Sequence, residues 1–276
     1  MIRLAAVQME TTPLDPDRNL AMVIVWLERA AAEGAHLAVF PECVLTGYFL
    51  TAEESLQAAE PVPGAHTDRI QEACRRTGVL AVVGTLEIDR AGRLFNTAVL
   101  VSPQGVLAKY RKTHLPCLGL DRFVEPGDLP LEPIQTPQGR LGLLICYDLR
   151  FPEPTRVLAL GGAQAILLPT AWPTAATLYP NHVARTRAAE NGVFLVAADH
   201  VVEERRRGYL GRSTIVSPDG ETLAEAGTNE EALLIAEVDL RHSDEKHRVF
   251  VPGEYEIDML RDRRPELYGR ITERSG

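Results

Sequence analysis

Apolar residues in this chain arrive in short dense runs, separated by stretches in which they recur at helical spacing. The opening run IRLAAVQ reads as a buried strand. After it, Asp15-Pro16 has the chemistry of an N-cap and first helical position. Leu20, Val23, Leu27 and Ala30 then repeat along one helical face up to Gly34. HLAVF is a second strand, ending at Pro41-Glu42. Thr51 and Glu54 form a capping-box pattern that opens another helix. Ile70, Ala73, Cys74 and Thr77 mark one face of a further helix, with Arg75 and Arg76 in its last turn and Gly78 as its stop. Cys74 is read as core packing.

From Val79 the texture changes. VLAVVGTLEI, NTAVLV, VLAKYRK and RLGLLIC are β-rich runs joined by tight turns. Ser102-Pro-Gln-Gly105, Thr136-Pro-Gln-Gly139 and Ser217-Pro-Asp-Gly220 share one turn chemistry: proline presets φ, and the fourth-position glycine accepts positive φ. Two of these turns sit in similar phrases, TAVLVSPQGVLA and STIVSPDGETLA, which hints at a pseudo-repeated sheet. A helix at PTRVLALGG, a strand at AILLPT, a helix from about Tyr179 to Asn191 and a strand at VFLVAADHV follow. YLGRSTIVSP and ALLIAEVDL close the pattern. Strands alternating with helices, plus hairpins, imply an α/β fold with helix-covered sheets. No linker divides residues 1–276, so one domain is expected. From Arg241 the chain becomes charge-rich, either a solvated tail or an arm that crosses onto a partner.

Composition adds limits. The chain has 276 residues, 45% hydrophobic and 24% charged, enough for a sizeable core. A net charge of −9 argues against nucleic-acid and anionic-membrane partners, which select a basic face. The short cluster Arg205-Arg206-Arg207 is embedded among acids and reads as a solvated loop. No signal-peptide or membrane-span pattern is present, and the expected location is the cytoplasm, where thiols stay reduced. The four cysteines, Cys43, Cys74, Cys117 and Cys146, contain no C-x-x-C pair, so neither a zinc site nor a disulfide framework is expected.

Candidate chemistry gathers at strand ends. Glu42 follows HLAVF, Lys112 ends VLAKYRK and Cys146 ends RLGLLIC. Each alone has an ordinary reading: a turn residue, a solvated lysine, a core thiol. Together they fit acyl transfer. The thiol is the nucleophile, the carboxylate its general base, and the ammonium an oxyanion stabiliser, helped by the backbone N–H of Tyr147. Cys43 reads as packing. His182 offers a rival Cys–His pair, which would leave Glu42 and Lys112 without a role.

F-P-E at 40–42, Y-R-K-x-H-L at 110–115 and C-Y-D-x-R-F-P-E at 146–153 resemble, in order and spacing, the signature of the nitrilase superfamily of carbon–nitrogen hydrolases. LPTAW at 168–172, RAAENGVFLVAA, GRSTIVSPDG and the terminal DRRPELYG are similar to its amidase branches, so the resemblance spans the chain. It implies a four-layer αββα sandwich of two mixed sheets flanked by helices. It implies Glu42 as base, Lys112 as oxyanion stabiliser and Cys146 as nucleophile. It implies no metal or organic cofactor, and a homodimer whose interface includes the arm at about 241–276.

One departure stands out. Many family members carry a second glutamate seven residues before the glycine of a Y-F-x-P-G-like segment. Here that count from Gly127 reaches Leu120, and the nearest acid is Asp121. Either Asp121 takes the supporting role or another group does. Arg150 has two readings: contact with a substrate carboxylate, as in relatives that cleave N-carbamoyl amino acids, or an ion pair with Asp148 or Glu153. Tyr48 and Trp172 are either pocket lining or core aromatics. The expected reaction is hydrolysis of a small amide to ammonia and an acid through a cysteine thioester. N-carbamoyl substrates rank second and nitriles third. A catalytically silent binding module on the same fold is the reading of another class.

Overall fold

The computed structural model describes residues 1–273. In chain order the strands are β1 (Ile2–Gln8), β2 (Leu37–Val39), β3 (Leu80–Ile88), β4 (Leu94–Ser102), β5 (Gly105–Arg111), β6 (Ile134–Thr136), β7 (Gly139–Leu143), β8 (Ala165–Pro169), β9 (Phe194–Ala198), β10 (Glu203–Glu204), β11 (Arg207–Gly208), β12 (Thr214–Val216), β13 (Thr222–Glu225), β14 (Ala232–Val238), β15 (His247–Val251) and β16 (Tyr255–Asp258). The α-helices are α1 (Pro16–Ala32), α2 (Ala52–Ala58), α3 (Ala65–Thr77), α4 (Pro152–Leu160) and α5 (Ala184–Asn191).

Two six-stranded sheets form, in the orders β14-β1-β2-β3-β4-β5 and β13-β12-β9-β8-β7-β6. Their construction is the same. Parallel strands β1, β2 and β3 occupy the middle of one, and β7, β8 and β9 the middle of the other. Each centre carries one antiparallel strand on one side, β14 or β6, and an antiparallel hairpin on the other, β4–β5 or β12–β13. The two similar sequence phrases are those two hairpins, so the pseudo-repeat marks corresponding edges of the two sheets.

Strand alternation builds the layers. Ala5, Val7, Ala38, Ala81 and Val83 face a core shared with Leu20, Val23, Leu27, Ile70 and Cys74 of α1 and α3. Their neighbours Leu4, Ala6, Leu37, Val39, Leu80 and Val82 point the other way and meet Leu141, Leu143, Leu167 and Val196 of the second sheet. The far side of that sheet packs Leu158, Ala184 and Ala188 of α4 and α5. Both faces of each central strand are thus apolar, which a strand between two layers requires. The result is the αββα sandwich. Helix ends follow the local chemistry: the Asp15 side chain accepts from the Arg18 N–H, Thr51 and Glu54 close a capping box, and Gly78 takes the left-handed conformation.

Two elements depart from the expected pattern. β7 stops at Leu143 rather than running to Cys146, and Cys146 opens a 3₁₀ turn, Cys146–Arg150. The reason is Asp148, whose carboxylate accepts from the Ile145 N–H at 3.0 Å and from the Tyr110 hydroxyl at 2.9 Å. Those bonds draw the chain out of the sheet. The expected helix from Tyr179 begins as one wide turn, Tyr179–Val183, before α5. Beyond the sandwich lies the β15–β16 hairpin, with Val249, Phe250, Val251 and Tyr255 about half exposed. Residues 274–276 of the expected arm lie outside the described residues. Among the described residues no helix is long and apolar enough to cross a membrane.

Candidate active site

The parallel strands of both sheets deliver their carboxyl ends to one place, where ligands of open α/β sheets gather. Glu42 follows β2, Cys146 follows β7, Thr170 follows β8 and Asp199 follows β9, while Lys112 arrives at the end of β5. Close backbone approach makes this possible. A Cβ on Gly84 of β3 would lie 2.3 Å from the Cys43 nitrogen and 2.7 Å from the Glu42 Cα, so only glycine lets the Glu42 turn sit against that strand. Gly127 serves the Lys112 end: its N–H donates to the Lys112 carbonyl at 2.8 Å, and a Cβ there would lie 2.0 Å from the Arg111 oxygen.

Glu42 and Lys112 are completely buried, and Asp121 nearly so. The Lys112 Nζ donates to Glu42 Oε1 at 2.7 Å and to Asp121 Oδ2 at 2.5 Å. Asp121 therefore enters the site that the sequence count reached only one residue away. Tyr48 donates its hydroxyl to Asp121 Oδ2 at 2.7 Å, and Asn96 bridges the two carboxylates. Burial alone would lower the Lys112 pKa, but the Asp121 and Glu42 carboxylates outweigh it and hold the ammonium well above its ordinary value. Burial raises the Glu42 pKa despite that ammonium, and the second carboxylate adds to the rise. Glu42 Oε1 is saturated by two donors, whereas Oε2 has no hydrogen-bond partner among the described residues. One oxygen of the buried carboxylate is held and the other is left with its lone pairs free.

Cys146 completes the group. Its φ is +43°, a region costly for a side chain with a Cβ, and such strain concentrates at functional sites. Its neighbour in the site, Cys43, shares the feature at +50°. Burial and the Glu42 charge push the Cys146 pKa well above the ordinary thiol value, against the opposing pull of Lys112, Thr170 and the Ala171 backbone. At neutral pH the resting sulfur therefore keeps its proton, and a base is needed to remove it. Cys146 retains 8% exposure while Glu42 and Lys112 have none, so the sulfur is the member of the group that faces solvent. The Tyr147 N–H lies in the first turn of the 3₁₀ segment, where helical N–H groups lack an internal acceptor.

The remaining sequence candidates divide. Trp172 is fully buried, stacked on Tyr179 with centroids 5.5 Å apart, and Tyr179 stands near Cys146. Arg150 is exposed and lies beside the Tyr179 hydroxyl. The expected ion pair with Asp148 or Glu153 does not form: Asp148 is already engaged by Tyr110, Thr113, His114 and the Ile145 N–H. His182 is exposed and lines a surface pocket with Arg185, Asp219 and Gly220, and no hydrogen bond joins it to Cys146 among the described residues. Among the described residues no cluster of three or more His, Cys, Asp or Glu side chains is arranged for a metal ion.

Sequence reasoning missed several members. Asn96, with Thr97 beside it, interrupts the apolar run of β4, a polar anomaly that was the available signal. His200 follows β9; its ring Nε2 contacts the Glu42 carbonyl at 2.6 Å and its Nδ1 the Thr11 hydroxyl at 3.0 Å. Burial lowers its pKa to about 4, so the ring is neutral. Glu204, on the two-residue strand β10, accepts from the Tyr48 and Phe49 N–H groups and the Tyr209 hydroxyl, anchoring the loop that carries Tyr48. Nothing local in the acid- and arginine-rich segment around Glu204 reveals that it folds inward.

Residues 3–248 match the family model described as carbon-nitrogen hydrolase. The chain belongs to the carbon-nitrogen hydrolase family. It is 39% identical over 274 residues to a nitrilase of Pyrococcus abyssi, covering 98% of this chain and all of that one. It is 32% identical over 280 residues to the omega-amidase of Homo sapiens, with 96% of each covered. A double mutant of an amidase from Nesterenkonia sp. AN1, solved with acrylamide, superposes with a TM-score of 0.83 at 28% identity, covering 98% of this chain and 97% of the other. Another mutant of that amidase, carrying the acetamide moiety of fluoroacetamide on its active site cysteine, gives a TM-score of 0.80 at 30% identity over 96% and 95% of the chains. The sandwich described above is thus the fold of this hydrolase family.

Proposed function

We propose that this carbon-nitrogen hydrolase cleaves a small primary amide into ammonia and a carboxylic acid through a thioester on Cys146. The observation that carries the reading is the buried Lys112 ammonium clamped by Glu42 and Asp121, with Glu42 Oε2 left unpartnered beside a protonated thiol. Glu42 Oε2 takes the thiol proton as sulfur attacks the carbonyl carbon. Negative charge moves to the carbonyl oxygen, where Lys112 Nζ and the Tyr147 N–H meet it. The C–N bond breaks as Glu42 returns the proton to the leaving nitrogen, and ammonia departs. Water then gives a proton to Glu42 and adds to the thioester. The second tetrahedral species expels sulfur, which regains its proton from Glu42. Positioned general bases contribute about 10²–10⁴-fold and each oxyanion donor about 10²–10³-fold, so these groups supply a large share of the rate.

The similarity to amidases and omega-amidases supports amides as the substrate class. The exposed Arg150 beside Tyr179 and near Cys146 favours a second reading, in which the substrate carries an anionic group, as N-carbamoyl amino acids do. Nitriles rank third. A free catalytic thiol suits the reducing cytoplasm, which we take as the working compartment. The half-exposed apolar side chains of the β15–β16 hairpin support the C-terminal arm as a contact between two copies, to be read as a homodimer by light scattering.

Ammonia release from a panel of amides, N-carbamoyl compounds and nitriles tests the reading. The parent releases ammonia from amides, Cys146→Ala releases none, and rapid acid quench traps an acyl mass on the Cys146 peptide. Ligand-dependent thermal shifts without any ammonia would instead support a binding module.

A further inference from the structure

The carboxyl pair of the site is joined by one amide whose orientation is fixed from behind. Asn96 projects from β4 and is 1% exposed. Its Nδ2 donates one hydrogen to Glu42 Oε1 at 2.7 Å and the other to Asp121 Oδ1 at 2.8 Å. Both hydrogens of the amide are thereby spent, one on each carboxylate. Its Oδ1 faces the other way and accepts from the Cys43 thiol at 3.4 Å. A flipped amide would turn its oxygen toward two carboxylate oxygens and its NH₂ toward a thiol, a poor acceptor.

We propose that Asn96 is a positioning residue that fixes which oxygen of Glu42 serves as the base, and that Cys43, adjacent to Glu42 in the chain, acts as the donor that locks Asn96 in that role. Asn96 and Lys112 together occupy Oε1, and this leaves Oε2 as the proton acceptor. The amide touches neither the sulfur nor the place of the substrate carbonyl; it acts through Glu42. The strained positive φ of Cys43 fits this role, since that turn must aim Glu42 and Cys43 into the site from adjacent positions. Burial, followed by the Glu42 and Asp121 charges, pushes the Cys43 pKa well above the ordinary thiol value, so it stays a donor. The inference rests on Glu42 being the base, as proposed above.

The groups facing Glu42 set the pH response. They are Lys112 from the end of β5, Asp121 from the 3₁₀ turn after it, Cys146 beyond β7, Asp199 and the His200 ring beyond β9, with Cys43, Tyr48 and Tyr209 near. The Asn96 hydrogen bond lowers the Glu42 pKa, so its loss raises it further. The acid limb of activity then moves to higher pH. A hydrogen bond to a charged group corresponds to a move of about one pH unit or more.

The test compares Asn96→Ala, Asn96→Asp, Cys43→Ala and Cys43→Ser with the parent in two assays: the pH profile of kcat/KM for amide hydrolysis, and the pH profile of Cys146 alkylation by iodoacetamide, read by peptide mass. Alkylation needs no turnover, so it reports on the clamp even if every amide in the panel is refused, an outcome that would sink the proposed function alone. We expect the acid limb to move up by about one unit in Asn96→Ala and further in Asn96→Asp, which adds a third carboxylate. Cys43→Ala should move it the same way, by less. Cys43→Ser, which restores a donor, should return it toward the parent. Asn96 variants that fold, shown by circular dichroism, yet keep the parent profile in both assays overturn the proposal for Asn96. Equal profiles for Cys43→Ala and Cys43→Ser overturn the part assigned to Cys43. A variant that fails to fold is replaced by Asn96→Ser, for which the same shift supports the clamp and an unmoved profile overturns it.

Discussion

Replacing Lys112 by methionine isolates what the buried ammonium does, because the straight chain keeps most of the volume and removes only the charge. The structure gives the consequences directly. Glu42 and Asp121 would lose their shared cation in a fully buried place, and breaking a buried ion group by deleting one partner costs about 3–5 kcal/mol. For a domain of this size that corresponds to a fall in Tm of roughly 5–9 °C. The penalty has a pH signature. In the variant the two carboxylates repel each other and take up a proton more readily than in the unfolded chain. The folded state then binds more protons than the unfolded state, and stability falls as pH rises. The loss of Tm should therefore be small near pH 5 and large near pH 8. Catalysis should drop by about 10²–10³-fold through the lost oxyanion donor at either pH. Thermal unfolding followed by circular dichroism at the two pH values, with ammonia release measured well below Tm, checks both. An equal loss of Tm at pH 5 and pH 8 would show that no charge is stranded, and the clamp described here would be wrong. Full turnover in a folded variant would remove Lys112 from the mechanism.

Asp121→Asn replaces a group with two acceptor oxygens by one with a single acceptor. Lys112, Tyr48 and Asn96 all donate to Asp121, so at least one donor is left facing an NH₂. Stability should fall by about 1–3 kcal/mol, with turnover reduced, as read by denaturant unfolding and ammonia release. His200→Gln tests the neutral ring. Its folded pKa, lowered to about 4 by burial, lies below the ordinary 6.5, so its contribution is complete above pH 6.5 and is lost as pH falls toward 4. That loss amounts to about 3 kcal/mol, and the variant should show a correspondingly flatter stability profile over this window; an unchanged profile would contradict the assignment.

The sequence by itself determined the secondary elements with period-2 and period-3.6 patterns and the caps at Asp15, Thr51 and Gly78, and it singled out Glu42, Lys112 and Cys146 as candidates. Those depend on neighbours a few residues away, or on motifs dense enough to stand out. The repeated phrases around Ser102 and Ser217 even marked the corresponding edges of the two sheets. The tertiary structure alone decided the rest. Asp121 was one position from the expected place, and only its bonds to Lys112 and Tyr48 bring it into the site. Asp148, one of the two acids that could have paired with Arg150, is satisfied by other donors brought to it by the fold. The bonds of Cys43 to Asn96, Asn96 to Glu42, Glu204 to Tyr48 and His200 to Glu42 span between 53 and 158 positions of the chain. The sequence neighbours of these residues carry no trace of those partners, because a hydrogen bond depends on where the folded backbone places two atoms and not on the residues that flank them.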